Sequence, residues 1–189
     1  MSLEEQIRHF AWADIVIAPH GAALGLSVYM QPGGAMVEIG YPQRELPLIF
    51  MATALSADLD YYLSIAEKGS HASGLVADIA DVVEVVGKAL IPFYINGVAK
   101  GQKDAAYNLG NAFANGLGVR QDKMRAMEFW SKAAEMGHKE AMYTMGYVYM
   151  KSNLRKEGSE MWQKAASLGH KPAADALTQL RKESLSRNL

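Results

Sequence analysis

A chain of 189 residues, half of them apolar, can bury one ordinary core or two small ones, which excludes disorder as its main state. Lys plus Arg total 19 against 20 for Asp plus Glu, a formal charge of -1, so no bulk field recruits nucleic acid or an anionic membrane. The absence of cysteine removes disulfides, thiolate catalysis and Cys-based zinc sites together.

The first ten residues, MSLEEQIRHF, carry Glu4 and Glu5 where a signal peptide would need a basic end and an apolar run. They predict a short helix instead, EEQIRHFAWA. The most apolar stretch, Trp12 to Met30, is broken by Asp14, Pro19 and His20 and changes character at Gly21. It cannot supply the roughly 20 apolar residues of a membrane span, and the chain reads as soluble with no transmembrane segment, its compartment otherwise open.

From Asp14 the grammar changes. An apolar run Asp14 to Ala18, a Pro-His-Gly turn, a helix of small residues, a QPGG turn and a second apolar run Ala35 to Ile39 predict a βαβ unit. Such near-continuous apolar runs suit parallel strands covered on both faces, and a parallel sheet needs more strands than two. PHGAAL stands where a strand hands over to a helix, the place where free amides favour an anion. Gly21 permits close backbone approach, Ala22 and Ala23 leave the helix start uncrowded, and His20 could donate to a phosphate or carry a proton near neutral pH. On spacing alone the alternative stays open that His20 caps the helix start or packs in the turn.

Read whole, ADIVIAPHGAAL followed by SVYMQPGGAMVEIG resembles the carboxyl-terminal region of family-61 glycosyltransferases, over residues of about 4 to 65. Ala13, Asp14, His20, Gly21, Ala22, Pro32, Gly33 and Glu38 occupy the places of that family's pattern. The resemblance implies a Rossmann-like layer of the donor-binding half of a two-domain (GT-B) fold, with a nucleotide sugar of the UDP-sugar type as substrate and a glycan or protein as the parent enzyme's acceptor. It places His20, Gly21 and Ala22 against the donor diphosphate and Glu38 near the sugar-nucleotide, with no tightly bound cofactor and no metal. A eukaryotic parent of this kind would work in the lumen of the secretory pathway. Only thirteen residues precede Asp14. A second Rossmann-like domain, source of the acceptor site and usually of the base, does not fit, so the expectation is a partial domain, inactive alone and with no assignable catalytic residue.

The stretch EKGSHASG, Glu67 to Gly74, reads as a mobile loop. After it Val76, Ile79, Val83 and Val86 share one helical face, predicting the last helix of the first half within Gly74 to Leu90. A boundary follows between Ile91 and Lys100, giving an α/β domain over 1–92 and a repeat domain over 93–189.

The second half repeats itself. GQKDAAYNLGNAF aligns with GHKEAMYTMGYVY and GHKPAADALTQL, with leading glycines Gly101, Gly137 and Gly169 at offsets of 36 and 32 residues. The four-residue difference lies in one turn, where NGLGVRQDKMRA shrinks to KSNLRKEG. Ala105, Leu109, Ala112 and Phe113 mark one helical face, and Ala141, Met145, Val148 and Tyr149 repeat it. So do Ala126, Trp130, Ala133 and Ala134, then Gly158, Trp162, Ala165 and Ala166. The three glycines stand where a left-handed helix end needs no Cβ.

The blocks AAYNLG, GLGV, Asp122 and WSKAAEMGH resemble the Sel-one-like repeat, a relative of the tetratricopeptide repeat. That implies an α-solenoid of two and a half antiparallel hairpins, over residues of about 100 to 182, with a protein partner on its concave face. Tyr107, Tyr143 and Tyr147 are the candidate contacts, although Tyr107 and Tyr143 also read as packing residues. His138 and His170 sit at equivalent joints with no carboxylate pattern around them, so metal is not expected. The second hairpin, lacking the GxGV turn and carrying Gly158 at an alanine position, is expected to be the softer. Arg181 replaces the aromatic of Phe113 and Tyr149 and predicts a polar end cap. With fewer than three hairpins, the preceding helix or IPFYING should cover the array's open end.

Overall fold

The structure, a computed structural model, describes residues 2–19, 22–40, 48–70 and 74–187. It divides into two compact units, one of residues 1–92 with 117–119 and one of residues 93–116 with 120–189.

The first unit opens with helix α1, Leu3–Trp12, started by a capping box. Ser2 Oγ accepts from the Glu5 amide at 3.2 Å and Glu5 Oε2 accepts from the Ser2 amide at 2.7 Å, satisfying two amides that a helix start leaves unpaired. Strands β1, Ile15–Pro19, and β2, Ala35–Gly40, pair in parallel with Ile15 opposite Ala35 and Pro19 opposite Ile39. The expected βαβ unit is present, with one change of type. Its crossover Ala22–Tyr29 is a 3-10 helix, in keeping with Gly25, Ser27 and Val28, which favour the α form poorly.

Helix α2, Leu48–Ser56, then delivers a third strand, β3, Asp60–Ile65, parallel to β2, so the sheet order is β1-β2-β3. One face carries Val16, Ala18, Met36 and Tyr61 and packs with Phe10 of α1, Leu24 and Met30 around the crossover, and Phe50 and Ala54 of α2. On the other face Ser64 of β3, itself buried, donates to Asp81 Oδ2 at 2.5 Å and so ties down the next helix.

The stretch read as a mobile loop contains a strand. Lys68–Ser70 (β4) pairs antiparallel with Gly74–Val76 (β5), so Val76 belongs to a strand and not to the helix assigned to it. Small and polar residues carry no strand signal, and backbone pairing in a short hairpin decided the outcome. Residues 71–73 lie outside the described residues.

Helix α3, Ile79–Ala99, starts with Asp78 Oδ1 accepting from the Ala80 amide at 2.7 Å and runs on through Pro92, beyond the end at Leu90 expected for it and within the stretch Ile91 to Lys100. Among the described residues its Ala80–Ala99 part is the one stretch long and apolar enough to cross a membrane by length and composition, a test that a soluble core helix also passes. That stretch carries Asp81, Glu84 and Lys88.

In the second unit the array consists of α4 Lys103–Asn115, α5 Lys123–Glu135, α6 Lys139–Lys151, α7 Arg155–Ser167 and α8 Lys171–Arg187. The residues assigned to the inner faces are buried or half-buried: Ala105, Leu109, Ala112 and Phe113 in α4, Ala126, Trp130 and Ala133 in α5, Ala141 and Met145 in α6, Trp162 and Ala165 in α7. The end of α3 packs into this unit. A Cβ on Gly97 would stand 2.5 Å from Ala105 Cβ, so only glycine admits α4 there. This is the cover expected of IPFYING.

The helix ends repeat one device. At the end of α5 the His138 amide donates to Ala133 O at 2.9 Å and Gly137, at φ 79°, donates to Ala134 O at 2.9 Å; Gly101 and Gly169 do the same after α3 and α7. These are Schellman ends, which satisfy the last carbonyls with a left-handed residue. The shortened turn of the second hairpin keeps the device with Asn153, at φ 62°, in place of glycine. Helix α5 is capped by Asp122, whose side chain accepts from the Met124 and Arg125 amides, while Leu154 in front of α7 offers no side-chain cap. Asp122→Ala should therefore lower the stability of the first hairpin by about 1 kcal/mol in urea denaturation, and Leu154→Ala should change little.

Candidate functional site

In the sheet, His20 and Gly21 lie outside the described residues, and Ala22 is the first residue of the crossover helix. Glu38 is described fully. It sits two residues inside the end of β2, opposite Ala18 and Leu63, with none of its surface exposed. The resemblance put it at the strand end; the structure encloses it.

A buried carboxylate needs hydrogen bonds to hold its charge. Tyr61 Oη donates to Glu38 Oε2 at 2.7 Å, from the neighbouring strand and the same face of the sheet. Burial first, then that bond and the charge of Glu38, push ionisation of the Tyr61 phenol well above its usual range. A group whose folded value is raised stabilises the fold fully below its unfolded value, about pH 10 for tyrosine, and that contribution disappears as pH rises through the folded value. Tyr61→Phe should leave Glu38 short of a donor and cost about 1–2 kcal/mol in denaturant unfolding at neutral pH. Tyr61 escaped sequence reading because DYYLSI has no alternation to mark it as a strand.

In the array the three tyrosines separate. Tyr107 is half-buried, stacked on His138 with ring centroids 4.5 Å apart. Tyr143, also half-buried, lies 6.1 Å from the Trp162 ring and 4.8 Å from that of His170. Tyr147 is 51 % exposed, with Lys151 Nζ 5.4 Å above its ring. Only Tyr147 of the three presents most of a ring to solvent.

The two joint histidines are N-caps. His138 Nδ1 accepts from the Ala141 amide at 3.1 Å and His170 Nδ1 from the Ala173 amide at 3.2 Å, both rings being buried. The expectation that no carboxylates surround them is corrected for His138. Asp104 Oδ1 is 3.2 Å from its Nε2 and Glu140 Oε2 is 3.4 Å from its Nδ1. Helical pairing brings Asp104 across from α4, and no sequence spacing reveals it. Among the described residues no three His, Asp or Glu side chains gather to hold a metal ion.

The helix-end glycines, the small-residue faces and the two tryptophans are repeated in register, and residues 103–138 and 139–170 match the Sel1 repeat family. Residues 103–170 are two Sel1 repeats. The first is four residues longer, as the turn between α4 and α5 requires, and α8 follows the second match. At the other end, residues 1–37 match the Glycosyltransferase 61 family. That match stops one residue before Glu38, short of the span to residue 65 inferred above. Among solved structures, the chain is similar to a protective antigen of uropathogenic Escherichia coli strains displaying an SLR fold, with 21% identity, TM-score 0.46, and coverage of 50% of this chain and 21% of that one. A Sel1 repeat protein from Oxalobacter formigenes is similar at 26% identity and TM-score 0.46, over 48% of this chain and 38% of that one. The chain thus spans well under half the length of either. In character it is glycosyltransferase-like at its start and a helical repeat protein after it.

Proposed function

We propose that this chain is a glycosyltransferase-like polypeptide that holds a nucleotide sugar at its parallel sheet and a protein partner on its Sel1 repeats. The observation that carries the reading is the presence in one chain of both family matches, to residues 1–37 and to residues 103–170. Sel1 repeats generally mediate protein interaction, and the glycosyltransferase 61 family implies a nucleotide-sugar donor. On this reading His20, Gly21 and Ala22 meet the donor diphosphate, Glu38 serves the sugar-nucleotide end, and Tyr147 leads the partner surface with Tyr107 and Tyr143 behind it. Transfer to a glycan or protein acceptor is the activity that the family match suggests for the parent enzyme. The test is a titration with uridine diphosphate and its sugars, following the amide signals of Gly21 and Ala22, repeated with His20→Ala. Shifts that His20→Ala weakens support the reading; no shift at millimolar ligand sinks it.

A second reading is a Sel1 repeat adaptor with a vestigial α/β layer. It is favoured by the complete enclosure of Glu38 and its bond to Tyr61. Under it the titration is silent while a partner is still retained by the array, and Tyr147→Ala releases that partner.

A further inference from the structure

The joints between the hairpins are closed by imidazoles, and imidazole is the side chain whose charge changes between about pH 5 and 8. At both joints the ring occupies the N-cap place and Nδ1 accepts, from the Ala141 amide at His138 and from the Ala173 amide at His170, the latter amide being shared with the His170 carbonyl at 3.1 Å. Only the neutral ring with Nδ1 unprotonated can accept there. Each ring is also the floor for an aromatic of the preceding helix pair, Tyr107 at the first joint and Tyr143 at the second. A proton on Nδ1 therefore acts on the helix start and on the packing between successive repeats at once.

The geometry points to a proton-operated pair of joints in the Sel1 array, in which acid detaches the amino ends of α6 and α8 from their histidine caps. The two differ in what receives the charged ring. His138 faces Asp104 and Tyr107 of α4 and Glu140 of its own helix; Asp104 is 80 % exposed and Glu140 45 %. On protonation its Nδ1–H turns from accepting the Ala141 amide to donating toward Glu140, while Nε2–H stays on Asp104, so this joint exchanges partners. His170 faces Tyr143, and among the described residues no carboxylate lies against it. Its charged ring gains no replacement. At the α8 joint the Ala173 amide loses the ring but keeps the His170 carbonyl, so the joint loosens without coming fully apart.

The experiment measures amide hydrogen exchange of Ala141 and Ala173 in the full chain between pH 8 and pH 5, each rate divided by its intrinsic rate at the same pH. The expected result is a fall in protection at both amides on acidification, of at most about tenfold, the order of magnitude of a lost cap. Asparagine caps a helix without titrating in this range. His170→Asn should therefore hold Ala173 protection level across the range while Ala141 still responds, and His138→Asn should do the reverse. Protection factors that are the same at pH 8 and pH 5 in the unmodified chain would overturn the proposal, and this comparison needs no variant to fold. So would a fall that persists undiminished at the substituted joint.

Discussion

Replacing Trp162 by alanine should unfold the end of the array, costing about 3–5 kcal/mol and removing helical signal from α6 to α8 while the sheet unit keeps its own transition. Trp162 is nearly fully buried and packs with Met142, Ala165 and Ala173, partly covered by Tyr143, Met150 and Leu177. Its indole Nε1 donates to Tyr143 O at 3.1 Å, so truncation opens a cavity and leaves a half-buried carbonyl without that donor. Met142, Met150 and Leu177 border the space and can fill it only in part, so a cavity remains. Circular dichroism during urea unfolding measures the loss; a midpoint within experimental error of the unmodified chain would refute the assignment of Trp162 as the centre of this core. The equivalent Trp130 carries a second hydrogen bond of the same kind, to Asn111 Oδ1 at 3.0 Å, and Trp130→Ala should act on the first hairpin alike.

The array was legible because its signals are local and said twice. Gly101, Gly137 and Gly169 each mark a left-handed helix end, and all three have positive φ. Asp122, read in the sequence only as a position of the repeat pattern, caps α5 in the structure. What sequence alone did not disclose was the exchange of one device for another. Asn153 took the left-handed place of the lost glycines, and Leu154 in front of α7 offers no side-chain cap. Nor could spacing place Asp104 beside His138, since that contact crosses between helices.

The sheet half was legible only where turns punctuate it. Pro19 and the QPGG turn bracket β1, the crossover and β2, and those elements were found. Helix α2, LIFMATALS, has no polar face, so no period distinguishes it from a buried strand. Strand β3 suffers the reverse: it lies at the sheet edge, half-buried, with Tyr61 and Tyr62 adjacent and no alternation. The candidate site inherits this gap. Glu38 was found from its place in a family pattern, whereas Tyr61, which donates to that carboxylate, sits on the strand that went unread.

The second large effect concerns a position where intuition about helices gives the wrong sign. Glycine inside a helix ordinarily costs about 1 kcal/mol relative to alanine, so Gly146→Ala would be expected to stabilise α6. Here the added Cβ would stand 2.3 Å from Trp162 Cδ1 and 2.5 Å from its Nε1, with Gly158 O 3.0 Å away on the facing helix. The indole cannot swing aside, because its Nε1 is bonded to Tyr143 O and the ring is walled by Met142 and Ala165. Relief requires α6 and α7 to separate, and separation undoes the close approach that Gly158 itself permits: a Cβ there would meet Gly146 O at 2.9 Å. The overpacking penalty outweighs the propensity gain, and the net loss should be about 2–3 kcal/mol. A Cβ on Gly110 would stand 2.5 Å from Trp130 Cδ1 in the first hairpin, so Gly110→Ala should behave the same way. The decisive control pairs the substitution with a smaller ring: in a Trp162→Leu background, itself destabilised, Gly146→Ala should become neutral or stabilising, because the atom it strikes has gone. A loss of equal size in both backgrounds would show that the cost comes from the backbone of α6 and not from the indole, and the glycine and tryptophan would then not be the interlocking pair that sets the spacing of each hairpin.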